Sequence, residues 1–279
     1  NIGVDQRYTI AEPAGPAPER STATNPATGQ SAMDLAAAGQ FTEVGRSVGL
    51  SLRSREELIA EVSEPRLLPF HFNRRGPGLA VGKFYSTGQD AVVVGGTTVD
   101  PLRVARASGA GRFDVSGASG IARGTANDGP LLALDADGDG NDDLLVTKGG
   151  NSLLAGSPDY QPALYLGDGH GGFHAAREDA LPPLPINAGV AVAGDFDHDG
   201  RLDVFIGGRL LPGQYPMAPQ SALLANRGGK FEDVTDTLAP GLREVGMVTA
   251  ALWTDLDGDG WLDVMLTLEW GKVSYFHNN

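Results

Sequence analysis

The chain has 279 residues, of which 41% are hydrophobic, enough to build a core, while 40 Gly and 18 Pro break up long regular elements. Its 35 Asp and Glu against 21 Lys and Arg leave a formal charge of −14, which repels a phosphate backbone and excludes nucleic acid as a partner. There is no Cys, so disulfide staples, thiol-ligated zinc and thiol nucleophiles are excluded, and no apolar run approaches the roughly 18 residues that a spanning helix needs.

Taken in chain order, residues 1–40 read as a Pro/Ala-rich linker. The stretch from Ala11 to Pro18, followed by Ser21 to Gln30, is small and polar without a period and cannot bury a core. Residues 41–76 read as a lead-in strand and a short helix. Gly39-Gln40-Phe41-Thr42-Glu43-Val44 has the form of a turn entering a strand, and Ser54-Arg55-Glu56-Glu57 ahead of Leu58 and Ile59 has the form of a capping box. That box predicts a helix over about 55–63, stopped by Pro65.

From residue 77 the chain repeats. Asp135-Ala-Asp137-Gly-Asp139-Gly-Asn141-Asp-Asp143 returns as Asp195-Phe-Asp197-His-Asp199-Gly-Arg201-Leu-Asp203 and again as Asp255-Leu-Asp257-Gly-Asp259-Gly-Trp261-Leu-Asp263, at intervals of 60 residues. Each copy follows small apolar residues and precedes a β-rich run: Leu144 to Val146, Val204 to Ile206, Val264 to Leu266. Glycine-rich hairpin turns come next, at Asp168 to Gly172 and Asn226 to Gly229. Short strands separated by tight turns, in units too small to stand alone, predict an all-β chain of four-stranded antiparallel propeller blades. The predicted boundaries are a degenerate blade at 77–128, blades at 129–187 and 188–245, and an incomplete blade at 246–279. In the first, Lys83 to Asp90 occupies the loop without an Asp triplet. The element at Gly39 to Val44 could complete the last blade, or the four blades could be a piece of a larger ring; we favour the piece.

The Asp-rich loops carry the chemistry. Calcium takes six to eight oxygen ligands, and Asp at alternating positions of a tight loop directs carboxylates to one centre. The expected ligands are Asp135, Asp137, Asp139 and Asp143 with the Asn141 carbonyl; Asp195, Asp197, Asp199 and Asp203 with the Arg201 carbonyl; and Asp255, Asp257, Asp259 and Asp263 with the Trp261 carbonyl. Gly140, Gly200 and Gly260 allow the sharp turn before that carbonyl. Two carboxylates about 4 Å apart repel by ~1 kcal/mol in water and ~4 kcal/mol at an effective dielectric near 20, so four on one turn call for a counter-charge. An EF-hand needs Glu at its twelfth position and flanking helices; here that position is Val146, Ile206 and Leu266, between strands. Three Ca²⁺ sites are therefore expected, weak enough to suit a compartment where calcium is abundant.

At these loops, Asp195 to Val204 above all, the sequence resembles the FG-GAP/VCBS repeat β-propellers, which include the integrin α-subunit head. Phe41 to Val44, Leu68-Pro-Phe-His71 leading to Gly76 to Gly82, and Ala222 to Asn226 before Gly229 to Val234 resemble the cartilage-acidic-protein-like bacterial branch. The resemblance implies a seven-bladed ring, of which about four blades are present, calcium on one face and partner binding through loops on the other.

Among the remaining residues, His71, His170, His174, His198 and His277 read as surface decoration, and Trp270 as a loop aromatic packed against a neighbouring blade. No phosphate loop or nucleophile elbow occurs. The expected function is a calcium-stabilised binding or adhesion scaffold, secreted, at the cell surface or periplasmic, and not an enzyme. Its ligand would be protein or carbohydrate. The alternative is a propeller-based polysaccharide-degrading, lyase-like enzyme. No signal peptide is evident, and a start at Asn1 rather than Met suggests that the true start lies upstream.

Overall fold

The computed structural model describes residues 42–56, 61–62, 71–73 and 76–279. The chain divides into Asn1–Val44 and Gly45–Asn279. The expected linker and Phe41 lie outside the described residues, and Thr42 to Val44 form no strand. The second unit opens on a one-turn helix, α1 (Gly45–Val48). Most of the capping-box helix also lies outside the described residues; Arg55, Glu56, Glu61 and Val62 are described and are not helical.

The second unit is built from four antiparallel, propeller-blade-like sheets in which strand order equals chain order. The first comprises β1 (Leu79–Gly82), β2 (Ala91–Val94), β3 (Arg103–Gly109) and β4 (Arg112–Gly117). The second comprises β5 (Asn127–Leu134), β6 (Asp143–Gly149), β7 (Ala163–Gly167) and β8 (Phe173–Ala175). The third comprises β9 (Ala188–Gly194), β10 (Asp203–Gly208), β11 (Ala222–Asn226) and β12 (Phe231–Asp233). The last has three strands: β13 (Met247–Thr254), β14 (Asp263–Glu269) and β15 (Ser274–Phe276). Among the described residues helix is confined to single turns such as α2 (Thr235–Leu238) and α3 (Pro240–Arg243).

The first strands of successive sheets pack side by side, β1 on β5, β5 on β9 and β9 on β13. The core lies between the sheets in three layers. Val93 and Val104 of the first sheet meet Leu131, Leu144 and Val146 of the second. Leu145 and Leu164 of the second meet Val204, Ile206 and Leu224 of the third. Phe205 and Leu223 of the third meet Val248, Val264 and Leu266 of the last. Because the third sheet is covered on both faces, β10 and β11 are buried at every residue, and apart from Asp203 and Asn226 at the loop end their sequences are continuously apolar rather than alternating. At the start of the series β1 alternates, with Leu79 and Val81 exposed and Ala80 and Gly82 buried. At the end Leu252 and Tyr275 are exposed.

A meander of this kind sends its first-to-second and third-to-fourth connections to one end of every sheet and its second-to-third connections to the other. All three Asp-rich loops therefore share one end. One expectation is corrected here: Trp270 is not packed against a neighbouring blade but is 79% exposed at the opposite end, where it follows β14. Its φ of 60° and an indole N–H bond to the Tyr215 hydroxyl turn the ring outward.

Candidate metal centres

Each Asp-rich loop joins the first and second strands of a sheet, and a strand pair closes its base: Leu134 opposite Asp143, Gly194 opposite Asp203, Thr254 opposite Asp263. Within the loops the backbone folds onto its own carboxylates. Asp135 accepts the N–H groups of Gly138 and Gly140, Asp137 that of Asp139, and Asp139 that of Asn141. Asp255, Asp257 and Asp259 accept the corresponding groups of Gly258 and Gly260, Asp259 and Trp261. In the middle loop Asp195 accepts from Asp199 and Gly200, and Asp199 accepts from Arg201. These bonds require the left-handed backbone at the fourth and sixth positions: Gly138 and Gly140, His198 and Gly200, Gly258 and Gly260 all have φ between 57° and 94°.

The result is three clusters that could hold a metal ion. Carboxylate oxygens of Asp135, Asp137 and Asp143 lie within 4.8 Å of one another, as do those of Asp195, Asp197 and Asp199 and those of Asp255, Asp257 and Asp259. The donors are all oxygens, the set a hard divalent cation takes. Of the fourth aspartates only Asp143 joins its loop's first cluster; Asp263 groups instead with Asp257 and His277.

The fourth aspartates do a second job that spacing alone does not reveal. Asp143, Asp203 and Asp263 are fully buried. One oxygen of each accepts an N–H from the second loop residue (Ala136, Phe196, Leu256), and the other accepts one from the end of the third strand (Gly167, Asn226) or just past it (Asn278). Each thereby ties three strands together at the root of its loop. Burial pushes the Asp143 and Asp203 carboxyls up to about 6 against the pull of those N–H groups, and the loop aspartates 137, 139, 197 and 199 add to the rise. Asp263 is held below the ordinary range instead, first by the Asn278 N–H, with the Tyr275 hydroxyl and His277 also donating. Two buried acids facing further acids are groups that a bound cation would relieve, so the residues present fit a divalent ion.

His277 is exposed, as the surface reading has it, yet it also reaches the third loop. Its Nδ1 lies 3.2 Å from Asp263 and 3.3 Å from Asp257, inside the third loop. His198 is exposed, yet its ring stacks on Trp261 of the next loop with centroids 4.2 Å apart. Arginines approach the middle loop: Arg201 bonds Asp199, and Arg227 lies 3.2 Å from Asp197. Two asparagines link successive loops. Asn226 donates to the carbonyls of Ala136 and Leu202, and Asn278 to those of Phe196 and Leu262. They occupy matching places in the third and fourth sheets, a correspondence present in the sequence as Asn-Arg and Asn-Asn after a short strand.

In the first sheet, Lys83 to Asp90 takes the place of an Asp-rich loop. Lys83 donates its N–H to Asp142, and Tyr85 pairs with His170 on the neighbouring turn, so this connection is held by the second sheet.

No curated protein matches the chain. The FG-GAP-like repeat family matches residues 150–206, from the outer half of the second sheet through the Asp195 loop into β10. The chain thus carries an FG-GAP-like repeat at residues 150–206, set within a series of four repeated sheets.

Proposed function

We propose that the protein is a calcium-stabilised binding scaffold of the extracellular space, cell surface or periplasm, and that it works by presenting loops rather than by catalysis. One observation carries this reading: three loops in phase, each with three carboxylates whose oxygens converge within 4.8 Å and each rooted on a buried fourth aspartate, which in the first loop is itself one of the three. Calcium would be held by Asp135, Asp137 and Asp139, by Asp195, Asp197 and Asp199, and by Asp255, Asp257 and Asp259, with the carbonyls of Asn141, Arg201 and Trp261 completing each shell. Asp143 and Asp203 would contribute as well, since a carboxylate offers about four acceptor sites and two are used by backbone N–H groups, whereas Asp263 would have to exchange its Tyr275 or His277 partner for the ion. The ion's role is to neutralise the loop and pin two strands of one sheet. Protein or carbohydrate is the ligand class for the opposite end.

A ligand that binds only the folded state at ten times its Kd stabilises it by about 1.4 kcal/mol per site, so three sites give about 4 kcal/mol. For a unit of this size that is a rise of about 8–16 °C in melting temperature. Thermal melts in EDTA and across 0.1–10 mM Ca²⁺ (the range of roughly 10⁻⁴ to 10⁻³ M affinities and just above) test it. A saturable rise of that order is expected, larger than with equal Mg²⁺. Melting points that coincide in EDTA and calcium would refute the reading.

A further inference from the structure

At the end of the sheets opposite the acidic loops lies a cavity of about 200 Å³. It is lined by Asn127, Asp128, Asn187 and Arg209, where the starts of β5 and β9 meet the ends of β6 and β10. Arg209 is buried, its side chain only 9% exposed. Its Nη2 bonds Glu269, whereas its Nη1, also buried, has no hydrogen-bond partner among the described residues.

The space has a definite origin. Gly149, Arg209 and Glu269 stand at the same place in successive repeats, 60 residues apart. Where the third and fourth sheets have long side chains that pair with each other, the second has glycine, and Gly149 lines the cavity. Phe72 closes another side, and its ring sits 5.1 Å from that of Tyr215. The Tyr215 hydroxyl donates to Glu269 and accepts from the indole N–H of Trp270, so an aromatic strip runs from the cavity out to a ring that is 79% exposed.

Charge decides the ligand class. Glu269 neutralises Arg209, and Lys148 is paired with Asp128 at 2.6 Å, while Glu56 adds a further carboxylate to the lining. With no net positive charge there among the described residues, and −14 on the chain, an anionic ligand gains nothing on entry. Amides and carboxylates beside an aromatic face instead suit a neutral, hydroxyl-rich ring, whose polar edges form hydrogen bonds and whose C–H face packs on an aromatic. We propose that this cavity and the Trp270 rim form a binding site for an uncharged saccharide unit. The proposal rests on the binding-scaffold reading and names the ligand class within it.

Titration calorimetry of the whole chain in calcium, with xylo-, manno-, malto- and cello-hexaose and a galacturonate hexamer as an acidic probe, tests the site. At least one neutral hexamer is expected to bind, and to bind more tightly than the acidic one. Trp270→Ala, at an exposed position, should weaken that binding at least tenfold. So should Gly149→Val, whose Cβ would meet only Gly129 at an ordinary 3.5 Å and whose methyls would fill the cavity. Both variants should melt within 2–4 °C of the parent, a shift of about 1 kcal/mol. Preference for the acidic hexamer, absence of binding by all four neutral ones, or affinity unchanged in both variants would overturn the proposal. A calcium-dependent melting point without saccharide binding sinks this site and leaves the scaffold reading standing; binding without calcium dependence does the reverse.

Discussion

His198 occupies a place where the other two loops have glycine, and it pays a backbone cost for its side chain: φ is 57° there, against 82° at Gly138 and 79° at Gly258. An L-residue in that region is disfavoured by about 1–2 kcal/mol. The compensation is visible, since the imidazole stacks on Trp261 and so connects the second acidic loop to the third. His198→Ala removes the stack and keeps the strained backbone, whereas His198→Gly removes both. The alanine variant should therefore be the less stable of the two by about 1 kcal/mol in chemical denaturation, although it is the smaller change in composition. Equal stabilities would show that the backbone at this position is not strained. The left-handed requirement was only half legible in the sequence. Glycine is invariant among the three copies at the sixth position but not at the fourth, and a residue sustained by a partner 63 positions away leaves no local trace.

Among elements, the strand that precedes each acidic loop shows how closely neighbouring sheets approach. A Cβ at Gly194, the last residue of β9, would lie 2.7 Å from Cγ of Trp253 on β13 and 2.9 Å from Cδ1. That indole stacks on Phe196 and donates to the Val192 carbonyl, so it has little room to yield. Gly194→Ala should cost about 1–3 kcal/mol, as overpacking does elsewhere. For a unit of this size that lowers the melting point by about 2–4 °C per kcal/mol. An unchanged melting point would mean that the two strands separate without penalty. A different contact fastens the segment before the first sheet. Arg55 donates to Asp100 through its backbone N–H, Nε and Nη2, and the Asp100 side chain is only 9% exposed. The Arg55 hydrogen bonds hold the Asp100 carboxyl below its ordinary 3.8. A depressed acid stabilises the fold above its unfolded value and loses that contribution as pH falls through its folded one. The parent should accordingly be more stable than Asp100→Asn at pH 7, with the gap constant down to about pH 5 and closing below pH 4. A gap independent of pH would show that the charge on Asp100 contributes nothing. Neither contact could be read from spacing, because each joins segments that only the stacked sheets bring together.

Over the whole molecule, what the sequence displayed was periodic and what it concealed was transverse. The 60-residue interval, the acidic loops and the apolar runs of β6, β10 and β14 follow from one short pattern, so sheet number and loop placement were legible from residues alone. Phe72 with Tyr215 and Trp270 with Tyr215 join different segments at places that do not correspond in the period. This arrangement predicts how the acidic loops share their energy. The second loop touches both others: Asn226 beside it donates to Ala136 of the first, while His198 stacks on Trp261 and Asn278 donates from the last sheet to Phe196. In a stack of sheets each unit feels its immediate neighbours, so effects should combine pairwise along the series and not across it. Consider Asp137→Ala, Asp197→Ala and Asp257→Ala, alone and in pairs, in saturating calcium. The first and third substitutions, in loops that share no bond among the described residues, should add to within about 0.3–0.5 kcal/mol in denaturant unfolding. The pairs that include Asp197→Ala should depart from additivity by about 0.5 kcal/mol or more, because losing one ion loosens the loop against which the next is built. Strict additivity in all three pairs would mean that the loops are independent clips; coupling between the outer two as strong as between neighbours would mean that the four sheets respond as a single body.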